Sequence, residues 1–193
     1  MKNRLKGTLT EENLLKAFAG ESQARNRYTY FASAAKKEGY EQISALFLTT
    51  ADQEKEHAKR FFKYLEGGVA TIHNATFPAG IIGSTVENLR AAAEGEREEW
   101  EALYVAFAET AHAEGFAKIA TTFRNVAEVE REHERRYLKL LSRLTDGDFF
   151  RREEEIVWQC RNCGFIVKGR VAPKLCPSCE HEQAYFEPMA DNY

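Results

Sequence analysis

Residues 38 to 65 match residues 114 to 141 at a constant offset of 76, and this repeat constrains the fold of the 193-residue chain more than any other feature. Glu38-Gly39-Tyr40 pairs with Glu114-Gly115-Phe116, Ile43 with Ile119, Phe47 with Phe123, and Glu54-Lys55-Glu56-His57 with Glu130-Arg131-Glu132-His133. The same offset pairs Tyr28 with Tyr104 and Phe31 with Phe107. Both copies are helical in pattern. Leu14, Ala17, Phe18, Ala24, Tyr28, Phe31 and Ala35 recur mostly at spacings of three and four, and Ile43, Phe47, Thr50, Phe61 and Tyr64 continue as a second stripe. A third stripe runs Leu89, Ala92, Leu103, Phe107, and a fourth carries Phe116, Ile119, Phe123, Val126, Tyr137 and Leu140. Two copies of one helical hairpin predict an all-α four-helix bundle.

The connection between the copies is long. Glu66-Gly67-Gly68 stops the second helix after Leu65, and residues 67–83, with Gly, Pro and Ala but no helical period, are long enough to cross the bundle. Ser84-Thr85-Val86-Glu87 has capping-box spacing and starts the third helix; Thr145-Asp146-Gly147-Asp148 ends the fourth. The register breaks once, because Gly20-Glu21 resembles Gly95-Glu96 at an offset of 75. The third helix therefore holds one extra residue before Tyr104, which a π-bulge between 96 and 108 would absorb.

Residues 148–155 read as a charged linker, and the remainder of the chain is short, Gly-punctuated and β-leaning. The expected domains are 1–147, the bundle, and 154–193, a small β-rich metal domain. A formal charge of -3 offers no cationic field for nucleic acid. No apolar run approaches the roughly 20 residues that span a bilayer, and the charged start Met1 to Thr8 lacks a following apolar segment. The sequence thus points to a cytoplasmic protein with neither nucleic acid nor membrane as partner.

The informative residues are ionisable groups on apolar stripes. Glu21 falls between Phe18 and Ala24, Glu54 and His57 between Thr50 and Phe61, Glu96 and Glu99 between Ala92 and Leu103, and Glu130 and His133 between Val126 and Tyr137. All seven are expected to point inward. Five carboxylates in one apolar interior repel each other at a cost of several kcal/mol per ion unless cations compensate. Glu-x-x-His places an oxygen and an imidazole side by side on one helical face, and two such pairs with a Glu from each remaining helix form a dinuclear site, a constellation known from di-iron and di-manganese bundles. A single Glu-x-x-His in a Glu-rich helix is mostly chance; duplication at matched positions is not. Glu99 is either an extra ligand or an acid one turn along from Glu96. Tyr28 and Tyr104 face the same interior, as amphipathic core residues, as hydrogen-bond donors to a metal-bound oxygen species, or as both. His73, His112 and His181 have no ligand partner at suitable spacing and are expected at the surface.

Cys160-x-x-Cys163 and Cys176-x-x-Cys179, separated by 12 residues, can enclose one metal in four thiolates. Structural zinc and iron both suit this spacing. Residues 154–193 hold four Lys or Arg against six Asp or Glu, which argues against a nucleic-acid-binding ribbon. Trp158, Phe165, Tyr185 and Phe186 can shield the centre from water.

These motifs together resemble the rubrerythrins, ferritin-like di-iron bundles fused to a C-terminal rubredoxin-like domain. The resemblance rests on Glu21-Ser22-Gln23-Ala24-Arg25-Asn26-Arg27-Tyr28, Glu54-x-x-His57, Gly95-Glu96-x-x-Glu99, Glu130-x-x-His133, and the two cysteine knuckles, and it spans residues 21 to 179. It implies two non-haem irons bridged by Glu54 and Glu130, with Glu21, His57, Glu96 and His133 as terminal ligands and Glu99 exchanging with His57 on redox change. It implies one further iron at Cys160, Cys163, Cys176 and Cys179, where zinc can replace it in recombinant protein. The implied activity is reduction of hydrogen peroxide to water, a peroxidase of NADH-peroxidase type that protects against oxidative stress, with Tyr28, Tyr104 and Glu99 at the chemistry. The implied partners are an external donor such as rubredoxin or an NAD(P)H-dependent reductase, and a second copy in a head-to-tail homodimer. The alternatives are a ferroxidase of the ferritin kind, which needs no electron relay, a non-catalytic module with structural zinc, and catalase-type dismutation, which needs no reductant.

Overall fold

Thr8 opens the first helix with its side-chain oxygen, which accepts the Glu11 amide, and α1 then runs Leu9–Lys37. Helix α2 spans Glu41–Phe62 and α3 Thr85–Glu98; a π-helical turn over Glu99–Leu103 joins α3 to α4, Tyr104–Ala113, and α5 spans Ala117–Thr145. The computed structural model describes residues 4–192, so residues 1–3 and Tyr193, the outermost of the two expected domains, lie outside the described residues. Since α3, the π-turn and α4 form one continuous rod, the helical part is the four-helix bundle that the repeat predicts.

The repeat is visible in the turns. Gly39 and Gly115 both have φ of 84°, and behind each the chain closes in the same way: the Tyr40 amide reaches the Ala35 carbonyl at 2.9 Å and the Phe116 amide the Ala111 carbonyl at 2.7 Å. The Ser84 capping box is complete, with Ser84 accepting from the Glu87 amide and Glu87 accepting from the Ser84 amide at 2.8 Å. The π-turn falls inside the 96–108 window that the 75-residue offset singles out.

Two boundaries differ from the sequence reading. Helix α2 ends at Phe62 rather than after Leu65, because the chain tightens into i to i-3 bonds, Tyr64 to Phe61 and Leu65 to Phe62, before Gly67 turns it. Residues 151–155 are not a linker: β1 already runs Arg151–Cys160. Arg151 pairs with Val171 on β2, Ile166–Val171, and the register shifts before Ile156, leaving Glu153, Glu154 and Glu155 in solvent. Phe149 and Phe150 fix the strand's start by packing edge to face on each other, with Phe149 edge-on to Tyr40 and Phe150 stacked on it. With β3, Phe186–Pro188, the sheet order is β2-β1-β3, antiparallel throughout.

Two apolar clusters fill the bundle, one around Leu14, Phe61, Ile119 and Phe123 and the other around Phe31, Phe47, Leu89 and Tyr137. A third, with Trp158 and Phe186 at its centre, belongs to the sheet. Replacement of Gly39 by Ala should lower the unfolding free energy of metal-free protein by about 1–2 kcal/mol, the cost of a Cβ in the left-handed region. The added methyl meets Ala184 at an ordinary 3.7 Å, so an unchanged urea midpoint would contradict the backbone origin of the effect.

Candidate metal centres

Between the two apolar clusters of the bundle lie Glu21, Glu54, Glu96, Glu130 and His133, each 1% exposed or less. Helix periodicity brings them there. Glu54 and His57 sit three residues apart on α2, Glu130 and His133 three apart on α5, and α1 and α3 contribute Glu21 and Glu96. Their ligand atoms form two groups, each within 4.8 Å: Glu21, Glu54, His57 and Glu130 in one, and Glu54, Glu96, Glu130 and His133 in the other. Glu54 and Glu130 belong to both.

The contacts within these groups are those of atoms gathered around cations. Nδ1 of His133 lies 2.8 Å from Glu130 Oε2 and 3.0 Å from Glu54 Oε1, yet none of these three atoms has a partner in hydrogen-bonding geometry. Glu21 Oε2 and Glu130 Oε1 lie 3.8 and 2.9 Å from Nδ1 of His57, likewise without hydrogen-bonding geometry. Buried carboxylate oxygens without donors are costly, and cations at the two shared positions remove that cost. Four carboxylates and two imidazoles suit iron or manganese better than zinc or calcium.

Glu99 stands apart from both groups. It is half-buried at the start of the π-turn, and a Cβ placed on Gly20 would come within 3.9 Å of its Oε1. The tyrosines cover the terminal carboxylates. Tyr28 donates to Glu96 Oε1 at 2.6 Å, and Tyr104 donates to Glu21 Oε1 in a short bond. Their surroundings repeat: Phe31, Phe47 and Tyr137 ring Tyr28 at 6.2, 6.0 and 5.6 Å, while Phe107, Phe123 and Phe61 ring Tyr104 at 6.2, 5.9 and 5.7 Å. Burial, followed by Glu96 for Tyr28 and Glu21 for Tyr104, pushes both phenols well above their ordinary range, so both remain donors.

Sequence reasoning missed two neighbours. Gln53 Oε1 lies 3.0 Å from Nε2 of His133 and so fixes which nitrogen faces the carboxylates. Its counterpart in the repeat is Val129, so the offset carries no signal for it. Tyr137, the counterpart of Phe61, carries a buried hydroxyl beside Tyr28. Of the remaining histidines, His73 and His112 are exposed as expected, whereas His181 is half-buried, edge-on to Tyr185 with Nδ1 3.1 Å from the Cys179 carbonyl.

In the sheet domain the four cysteines are unbridged. Their sulfurs group within 4.8 Å, with Cys160 and Cys179 at 3.8 Å and Cys163 and Cys176 at 3.7 Å. A tetrahedron with metal–sulfur bonds of about 2.3 Å has an edge of ~3.8 Å, so the spacing fits one four-coordinate ion. Backbone amides turn toward the sulfurs: the Phe165 amide holds the Cys163 thiol down at about 6, and those of Asn162 and Cys163 face Cys160, where burial wins and raises it.

Without cations, protons must balance the bundle's carboxylates. Burial, Glu130 and Glu54 push Glu21 well up, and burial and Glu54 carry Glu96 to about 8. Burial alone would lower His133, but Glu130, Glu54 and Glu96 raise it to about 11. Burial would raise Glu54, but His133 and His57 hold it at about 2. Stability from Glu96 is therefore complete below its ordinary 4.5 and lost as pH rises through 8; that from His133 is complete below 6.5 and lost through 11. Glu54 acts oppositely, below the working range. The thermal midpoint of chelator-stripped protein should fall from about pH 5 to 9, and added iron should raise it more at the alkaline end. A metal-free midpoint that is flat or rises with pH would refute this balance.

Comparison with known proteins agrees with the two centres. The Rubrerythrin family profile matches residues 12–141, and that of the rubrerythrin rubredoxin-like domain residues 158–187. Rubrerythrin from Porphyromonas gingivalis is 67% identical over 193 residues, 100% of this chain and 96% of that protein. Rubrerythrin from Nitratidesulfovibrio vulgaris is 52% identical over 189 residues, 98% of each. A structure of nigerythrin in its fully reduced, all-ferrous state superposes with a TM-score of 0.62 at 30% identity, covering 97% of this chain and 92% of that one. Among the described residues, no helix is long and apolar enough to cross a membrane.

Proposed function

The chain belongs to the rubrerythrin family of di-iron, rubredoxin-like oxidoreductases, and we propose that it reduces hydrogen peroxide to water with electrons received through its four-cysteine centre. The observation that carries this reading is two donor groups sharing Glu54 and Glu130 in the same chain as a tetrathiolate site. Glu21, Glu54, His57, Glu96, Glu130 and His133 hold the iron pair, and Cys160, Cys163, Cys176 and Cys179 hold the single iron. Bound there, an iron pair supplies two electrons together to an O–O bond, and a thiolate-held iron supplies them one at a time.

The balance is one peroxide, two electrons and two protons to two waters, so the chain's own task is to seat the oxidant and to provide protons. Glu99, raised by burial and by Glu21 and Glu96, keeps a proton on a carboxyl at the edge of the site. Tyr104 and Tyr28 hold protons on their phenol oxygens and orient Glu21 and Glu96 through them. His57 lies in a donor group and Glu99 outside both groups, and we propose that the two exchange when the redox state changes.

Electron entry favours a pair of subunits. Tyr40, which contacts the start of the sheet domain, lies 14 residues before Glu54 on α2, a rise of about 21 Å along the helix. The sheet domain thus meets its own bundle well away from Glu54, and a head-to-tail homodimer would bring the four-cysteine centre of one chain to the bundle site of its partner. The physiological donor is an external one, a rubredoxin or an NAD(P)H-dependent reductase, in a cytoplasmic role against oxidative stress.

Anaerobically reduced protein should be oxidised faster by peroxide than by dioxygen, in stopped flow at matched concentrations. The reverse preference would make the protein a ferroxidase. Glu99→Ala should keep its fold and lose most of its turnover, and full activity there would end the assigned role. Mixing a chain bearing Cys160→Ser and Cys163→Ser with one bearing Glu54→Ala should restore turnover that neither has alone; no recovery in proven mixed dimers would exclude transfer between subunits.

A further inference from the structure

A cavity of about 290 Å³ lies between α1 and the rod formed by α3, the π-turn and α4, under the part of the crossover formed by residues 74–78. Its walls include Gly20 and Gly95, the glycines that precede Glu21 and Glu96, together with Glu99, Tyr104 and, from the crossover, Phe77. Both Glu99 and Tyr104 border it. We infer that this cavity is the route by which the peroxide reaches the metal pair, with the bare backbone of Gly20 as its narrow point and Phe77 as its outer cover.

Three observations carry the inference, which rests on the peroxidase reading. Glu21, Glu54, Glu96 and Glu130 are closed off from solvent, and Glu99, the one carboxylate of the five that is not, is the one lining the cavity. A Cβ on Gly20 would stand 3.9 Å from Glu99 Oε1, so any longer side chain there occupies the space in front of that carboxylate. The crossover is tied down over the cavity at defined points: Gln23 Nε2 donates to the Pro78 carbonyl at 3.1 Å, and the His73 amide donates to Glu12 at 3.3 Å. Phe77 between them is partly exposed and lines the cavity from the crossover. The mixed walls, apolar at Ala17, Leu103 and Phe107 and polar at Gln23, Arg27 and Glu99, suit small neutral hydroperoxides, which need hydrogen bonds but carry no charge.

The test uses full-length, iron-loaded protein, reduced anaerobically and mixed with hydrogen peroxide or tert-butyl hydroperoxide. Gly20→Leu should retain its iron content and slow oxidation by hydrogen peroxide at least about tenfold, while Gly20→Ala should slow the butyl compound more than hydrogen peroxide. Phe77→Ala should speed the butyl compound selectively. Xenon-pressurised crystals give a readout independent of turnover: density in the cavity of the unmodified protein and none in Gly20→Leu. If the unmodified protein is oxidised by neither hydroperoxide, the peroxidase reading falls and this inference with it. If it is oxidised and the variants match its rates with both oxidants, the route alone is overturned. Should Gly20→Leu fail to fold, Gly20→Ala and Phe77→Ala decide, since a size-dependent change in either supports the route and none in both overturns it.

Discussion

The bundle depends on how the negative charge of Glu21, Glu54, Glu96 and Glu130 is balanced in an interior where none of them touches water. Two imidazoles, from His57 and His133, are too few for the carboxylates gathered around them. Either protons or cations supply the remainder. The geometry favours cations: oxygen and nitrogen atoms converge at 2.8–3.0 Å without the directionality that protons impose. The apolar clusters on either side keep water out, and the same exclusion that makes unbalanced charge costly makes bound metal hard to lose.

The duplicated hairpin distributes this burden evenly. Each half supplies one shared carboxylate, one imidazole three residues on, and one terminal carboxylate reached by a tyrosine of the other half: Tyr28 reaches Glu96, and Tyr104 reaches Glu21. These crossed bonds tie α1 to the third rod of the bundle. Because the tyrosines act on terminal carboxylates rather than shared ones, they can adjust the ends of the cluster without disturbing its centre.

Much of this was legible in the sequence because the signals are periodic. Ionisable residues on an apolar stripe, repeated at an offset of 76, identify the inward-facing donors, and the single slip to 75 locates the π-turn. The cysteine spacing likewise reports a local turn geometry. The hidden part depends on contacts between distant segments. Gln53 has no counterpart at the offset, and its role beside His133 appears only once α2 and α5 pack. The charged run 151–155 looks like a tether because side-chain polarity says nothing of backbone pairing, which Phe149 and Phe150 impose from outside the run. The cavity arises from where the crossover rests, and a segment without period gives no sign of that.

The crossover also breaks an equivalence that the repeat would otherwise create. Taken by their ligands alone, the two ends of the metal cluster are interchangeable; with the covering segment in place they are not, because Tyr104 borders the cavity and Tyr28 does not. A small molecule arriving there meets an object with a front and a back. Two nearly identical half-sites thus acquire a direction, imposed by a stretch of chain that contributes no ligand of its own.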